Sequence, residues 1–319
     1  MSDGVGEGAM LVETAGRLLA GLEAAEWSNG WSALSDMGLP LALVPEKQGG
    51  FGIATADALA LVRLSGFHAL PLPLAEAMVA NRLLAEAGLD LADGPATFLT
   101  QAVERAPWGR DAHALALALP GGWIARIERP QVEREGTDMA GMPRDLLRFS
   151  PDGAPTGTRD GHASLLWGAA IRTLQVAGAL ERVLALTIAH VSERQQFGRP
   201  LAKFQAVQHE LARMGSEVAA ASAAGDMAAE AIAGDTDPTL AIAAARVRVG
   251  EAVGIVTSVA LQLHGAIGFT REHMLHRFTT ALWSWRDDYG GHGYWSQTLG
   301  RAALAAGGDG FWAFATEAA

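Results

Sequence analysis

Residues 193–214, ERQQFGRPLAKFQAVQHELARM, gather groups that could hold a ligand. Glu193-Arg194-Gln195-Gln196 is a compact polar cluster closed by Phe197-Gly198. Pro200 stands where a helix could start, and Leu201, Phe204, Val207, Leu211 and Met214 then share one helical stripe. A guanidinium forks onto a diphosphate, and an aromatic side chain packs on a ring. Presented together before a helix start, they could seat a ligand carrying phosphate and a ring. The same residues also suit a helix–helix junction, with Arg194 paired to Glu193 or a neighbouring acid and Phe197 in the core.

A second constellation is Gln262-Leu263-His264-Gly265-Ala266-Ile267-Gly268-Phe269-Thr270. Glycine after a helix lets the chain turn sharply and approach a ligand closely, and it equally suits an ordinary helix C-cap at Gly265. His273 and His276 lie three apart with no carboxylate or third histidine at metal spacing. Packing or solvent roles are expected for them, and no metal. Trp283 and Trp285 are expected in the core. There is no G-x-S-x-G, P-loop or early G-x-G-x-x-G pattern.

The elements that must position these groups are mostly helical. Helical spacing runs over residues 7–26, 31–37, 55–64 and 74–87, with Pro and Gly breaking the chain at 44–52. Residues 93–163 change character. Short apolar runs at 114–119, 123–127 and 146–149, bounded by Pro120-Gly121-Gly122 and Pro151-Asp152-Gly153, read as strands. From Ser164 the pattern is helical again, over about 166–193, 200–233 and 239–263, with a turn at 234–238. Three long helices joined by short turns predict an antiparallel bundle. The expected organisation is an N-terminal helical domain (1–92), an abbreviated β domain (93–163) and a four-helix-type C-terminal bundle (164–319). The fold class is mainly α with a small β domain.

The bulk composition narrows the function further. Half of the 319 residues are hydrophobic and 18% are charged, enough for a sizeable core. A formal net charge of −11 with no basic tract argues against a nucleic-acid partner. The absence of cysteine excludes disulfides, thiolate nucleophiles and thiolate-bound zinc. The acidic, Gly-rich start lacks the order of a signal peptide, and the apolar run at 249–263 is interrupted by Glu251. A soluble, cytoplasmic chain without membrane spans is expected.

The pattern R-x-x-F-G-x-P-L-x-x-x-Q-x-x-Q beginning at Arg194 resembles the flavin-adenine-dinucleotide motif of the acyl-CoA dehydrogenase family. MGLPLALVPEKQGGFG (37–52) resembles that family's N-terminal loop, and Gln262–Gly268 resembles its Gln-x-x-Gly-Gly-x-Gly segment, with Ala266 at the second glycine. The resemblance implies FAD as cofactor, contacted on its ADP side by Arg194, Gln196, Phe197, Leu201, Gln205, Gln262, Leu263, His264 and Gly265. It also exposes departures. The family's Thr-Glu-Pro and Gly-Ser-Asp segment has no match in the β region. The family's catalytic glutamate falls at Tyr289, or in other members at about Gly168, and neither is a carboxylate. A phenol, with a reference pKa of about 10, is a poor base near neutrality.

What the resemblance therefore implies is the shorter, base-lacking subunit of a heteromeric acyl-CoA dehydrogenase of the steroid side-chain type. It would be paired with a full-length sibling, would act on an acyl-CoA and would pass electrons to an electron-transfer flavoprotein. Two rivals remain open at this stage. One is a self-sufficient homo-oligomer using Asp287 or Asp288 as base; the other is a flavin-free binding or scaffolding descendant.

Overall fold

The computed structural model describes residues 3–23, 26–100, 105–158 and 163–317. Its elements run α1 (Asp3–Gly21), α2 (Trp27–Asp36), α3 (Thr55–Phe67), α4 (Leu74–Glu86), then β1 (Ala96–Leu99), β2 (Ala106–Pro107), β3 (Ala114–Leu119), β4 (Trp123–Glu128), β5 (Gln131–Arg134), β6 (Arg144–Arg148) and β7 (Thr156–Thr158). There follow α5 (Ala163–Glu193), a hairpin of β8 (Gln195–Gln196) and β9 (Arg199–Pro200), α6 (Gln205–Ala233), α7 (Thr239–His264), α8 (Met274–Asp287) and α9 (His292–Glu317). The chain divides into two compact units, Met1–Ser65 with Leu70–Ile171, and Gly66–Ala69 with Arg172–Ala319. Helix α5 begins in the first and continues in the second.

In the first unit the Pro-Gly-Gly stretch is a loop with two single-turn 3₁₀ segments, Leu39–Leu41 and Glu46–Gln48. Glycine is required at Gly50, because a Cβ there would lie 1.7 Å from the Val44 carbonyl oxygen. The β region holds a four-stranded sheet in the order β1-β3-β4-β7, with β1 and β3 parallel, and a three-stranded antiparallel sheet in the order β2-β6-β5. Leu99, Leu115, Leu117, Ile127 and Leu147 form its apolar core. Arg110 braces it: its Nη2 donates to Asp145 Oδ1 at 2.6 Å and its backbone N–H to Oδ2 at 2.8 Å, with Asp145 fully buried. The predicted strand runs match β3, β4 and β6, while β1, β2, β5 and β7 are additional. β1 is buried throughout and lacks alternation, and β2 and β7 are too short to register.

In the second unit α6 and α7 pack along each other, and α8 and α9 close on α7. Helices α5 and α6 approach closely where Gly225 meets Ala177 and Leu174. The contact is held on one flank by Ser222 Oγ donating to Glu181. Two corrections follow. Pro200 is not the first residue of a helix: it lies in β9, and α6 starts at Gln205 after a 3₁₀ turn. And two helices, Ala163–Glu193 and Thr239–Phe269 when the following turn is counted, are long and apolar enough to cross a membrane. Burial accounts for that composition: α7 buries Ile242, Val249, Val253, Val256 and Ala260 together with Arg246, and a guanidinium held by carbonyls belongs to a protein core.

Candidate functional site

Four segments of the second unit meet at one cleft of about 450 Å³. It is lined by His190 and Arg194 from the end of α5, Gln196 from the hairpin, Leu201 and Val207 beside the start of α6, and Gln262–Ala266 at the end of α7. Both ligand-holding motifs of the sequence thus reach the same surface. Of the expected cofactor contacts, Arg194, Gln196, Leu201, Gln262, Leu263, His264 and Gly265 line it. Phe197 and Gln205 are outside the lining; Phe197 is 90% exposed, so the alternative of a core phenylalanine is overturned.

The hairpin explains how Phe197 comes to stand out. α5 stops at Glu193, and Gln195–Gln196 pair with Arg199–Pro200 across a two-residue turn. Phe197 (φ 52) and Gly198 (φ 79) both take the left-handed conformation, the signature of a type I′ turn. Glycine adopts it freely, whereas phenylalanine is held there at a cost of about 1 kcal/mol. The Phe204 ring stands edge-on to Phe197 at 6.2 Å, and the Arg199 guanidinium lies 4.2 Å over Phe204. The ion pair between Arg194 and Glu193 is not formed; among the described residues no carboxylate answers this exposed guanidinium. A cation left without an acid at the edge of a cleft suits an anionic ligand.

At the end of α7 both readings of Gly265 hold at once. It caps the helix, its N–H donating to the Leu261 carbonyl, and its φ of 63 with ψ of −146 is open only to glycine. Apart from its chain neighbours, no atom lies within 4 Å of where its Cβ would be, so the backbone there is open to close approach. His264 Nδ1 lies 2.8 Å from the Ala260 carbonyl oxygen, and its Nε2 is buried with no hydrogen-bond partner. Burial pushes this imidazole down to about 4, against the Ala260 hydrogen bond, with His190 and His273 lowering it further. His190 is also lowered, by burial first and then by His273 and Arg194. His190 escaped sequence reasoning; its only signal is its position one helical turn before Arg194. His273 is expected in a packing or solvent role, and its ring does pack beside two other imidazoles. It also caps α8, its Nδ1 accepting from Leu275 N–H at 3.1 Å, and its ring meets His264 at 4.9 Å and His190 at 6.3 Å.

The residues expected around a catalytic base form a separate cluster at the end of α8. Arg246, fully buried, donates from Nη2 to the carbonyls of Trp285, Arg286, Asp288 and Gly290. Trp285 and Arg286 lie in the last turn of α8, where a helix leaves carbonyls short of partners, and Asp288 and Gly290 lie just beyond it. Burial lowers its pKa to about 10, so it stays charged at neutral pH. Arg172 Nε donates to Asp288 Oδ2 at 2.8 Å, and its guanidinium lies 5.9 Å from Trp285 and 5.7 Å from Tyr289. Tyr289 is buried with φ 51. Asp287 is exposed and pairs with Arg286 at 3.3 Å. An aspartate held by a buried guanidinium is stabilised as the anion and weakened as a proton acceptor.

Helices flanking a small β region define an acyl-CoA dehydrogenase fold. A variant of the Tcur3481-Tcur3483 steroid ACAD superposes with a TM-score of 0.81 over 94% of this chain and 99% of that one, at 23% identity. The ChsE4-ChsE5 complex from Mycobacterium tuberculosis gives 0.78 over 96% and 98%, at 21% identity. In sequence, residues 157–283 match the family described as Acyl-CoA dehydrogenase, C-terminal domain. The chain is 30% identical to acyl-CoA dehydrogenase IpdE2 of Mycolicibacterium smegmatis, over 77% of this chain and 78% of that protein. It is 31% identical to IpdE2 of Mycobacterium tuberculosis over 78% of each. The chain belongs to the acyl-CoA dehydrogenase family.

Proposed function

We propose that this chain is a subunit of a flavin-dependent acyl-CoA dehydrogenase that desaturates an acyl-CoA thioester between its α and β carbons. Its role is to hold the ADP side of FAD, and a full-length sibling subunit carries the base. The observation that carries this reading is the convergence of Arg194, Gln196, Gln262 and Gly265 on one cleft, with no acid paired to the Arg194 guanidinium among the described residues. These groups fit the ADP half. Arg194 would fork onto the diphosphate, Gln196 and Gln262 offer amide donors and acceptors, and the open backbone at Gly265 permits close approach. Phe197, presented at the hairpin tip, would pack against a ring, with Leu201, Leu263, His264 and Gln205 completing the contacts.

When bound, the flavin supplies hydride acceptance. The proton abstraction that accompanies it needs a base, and this chain offers a poor one. Tyr289 is a buried phenol, Asp288 is tied to Arg172, and Asp287 stands in solvent beside Arg286. Those pairings favour the two-subunit reading over a self-sufficient enzyme. The names of similar proteins, a steroid ACAD and the ChsE4-ChsE5 complex, support a bulky steroid-derived acyl group and a mixed oligomer. Division into domains at 1–92, 93–163 and 164–319, an electron-transfer flavoprotein as acceptor and a cytoplasmic location belong to the same proposal.

Expression of the chain alone and with a neighbouring full-length acyl-CoA dehydrogenase gene tests it, through native mass and flavin absorption. A colourless single chain that becomes part of a yellow mixed oligomer is expected. A yellow, active homo-oligomer would overturn the two-subunit reading, and a colourless product in both cases would overturn the flavin.

A further inference from the structure

His190, His264 and His273 come from the end of α5, the end of α7 and the cap of α8, and one ring nitrogen from each lies within 4.8 Å of the other two. We propose that they form a three-imidazole site for a borderline divalent transition ion such as zinc, cobalt or nickel. His190 and His264 also line the cleft, so the ion's remaining coordination position would face it.

Three observations point to this. First, the His264 tautomer is set: Nδ1 faces the Ala260 carbonyl at 2.8 Å, so the proton sits there and Nε2 presents its lone pair. A backbone carbonyl fixing one nitrogen while the other ligates is the usual support of a metal-bound histidine. Second, that Nε2 is buried without a partner among the described residues, in a side chain only 6% exposed. A buried acceptor left unmet is destabilising, and a bound cation would remove that penalty. Third, the donor set is all imidazole with no carboxylate, which selects transition ions over magnesium or calcium.

The geometry is within reach. Nitrogen–metal bonds of about 2.0–2.1 Å in a tetrahedral site put the nitrogens about 3.3 Å apart. Closing from 4.8 Å needs shifts of about 1 Å per ring, which the half-buried His190 and His273 can make by side-chain rotation. His190 and His264 stack at 4.2 Å, so one of them must turn for both to point at a common ion. Ligation through Nε2 of His273 moves its proton to Nδ1 and gives up the hydrogen bond from Leu275 that caps α8. Arg194, in the same cleft, adds positive charge and favours an anionic oxygen as the fourth ligand.

Cobalt(II) titration of the untagged, chelator-treated full chain, or of its mixed oligomer where the chain alone is insoluble, tests the site by visible absorption. The expected result is one equivalent of cobalt in the micromolar range, with the strong d–d bands of a four- or five-coordinate ion, displaced by zinc. His190→Ala and His273→Asn should each weaken cobalt by about tenfold or more. Asparagine keeps the α8 cap, so folding is preserved and is checked by circular dichroism. His276→Ala should leave cobalt binding unchanged. No saturable binding in the micromolar range, weak six-coordinate absorption, or an affinity unaffected by the His190 and His273 variants would overturn the proposal.

Discussion

Replacing Asp288 with alanine separates a structural carboxylate from a catalytic one. Arg172 is 2% exposed, and its Nε donates to Asp288 at 2.8 Å. Removing the carboxylate takes an anionic partner away from a buried guanidinium that also meets Gln175 Oε1 and the Trp285 and Tyr289 rings. Breaking one side of a buried ion pair costs about 3–5 kcal/mol, and the partial exposure of Asp288 places the value near the lower end, about 3 kcal/mol. For a cooperative unit of this size each kcal/mol moves the melting temperature by about 2–4 °C, so a fall of about 6–12 °C is expected. Asp287→Ala is the control, since an exposed pair contributes less than about 1 kcal/mol. Differential scanning fluorimetry on the mixed oligomer, with turnover measured beside it, gives the answer. An Asp288→Ala protein that melts like the parent yet has lost turnover would refute the ion-pair argument and restore Asp288 as the base.

Other outcomes follow from the same reasoning. Burial by itself pushes the Asp145 carboxyl up, but hydrogen bonds from Arg110 and Gly136 and the Arg110 charge outweigh it, leaving the group below the usual range. Its stabilisation is therefore full above the unfolded value of about 3.9 and is lost as pH falls through the depressed folded value. Asp145→Asn should be less stable at neutral pH and should flatten the acid limb of a melting-temperature profile; an unchanged acid limb would contradict this. Gly66→Ala would put a Cβ 2.1 Å from the Gln175 carbonyl oxygen and should cost about 3 kcal/mol or more. Gly16→Ala, whose Cβ would meet Leu64 at a comfortable 3.6 Å, should be neutral or stabilising by up to about 1 kcal/mol in thermal melts. Phe197→Asn should relieve about 1 kcal/mol at the hairpin while reducing flavin retention; retention equal to the parent's would remove Phe197 from the cofactor contacts.

Much of this architecture is legible from residue order because burial repeats with helical period in α6 and α7 and turn residues mark the ends. The exceptions have physical causes. Pro200 reads as a helix start because its fixed φ suits both a first helical turn and an extended strand; the pairing of Gln195 with Pro200 decides for the strand. Phe197 reads as core because aromatic residues usually are, and its exposure depends on a left-handed turn that local sequence disfavours. The convergence of Arg194 with Gln262 is foreseen only through family resemblance, since no spacing rule links residues on two separate helices. The three-histidine cluster lies beyond sequence reasoning for the same reason: His190 joins His264 and His273 only once α5 and α7 are side by side. Asp288 looks like a possible base until Arg172, distant in sequence, is seen to hold it.

The most direct measurement is flavin stoichiometry in the mixed oligomer when only this chain carries Arg194→Ala. Losing a charge-assisted bidentate contact to a diphosphate weakens binding by about 2 kcal/mol, a factor of about 30. An assembly of unchanged native mass that loses FAD on gel filtration and recovers its yellow colour with added FAD is expected. An Arg194→Ala assembly that retains FAD like the parent would contradict the claim that this chain holds the ADP side of its partner's cofactor.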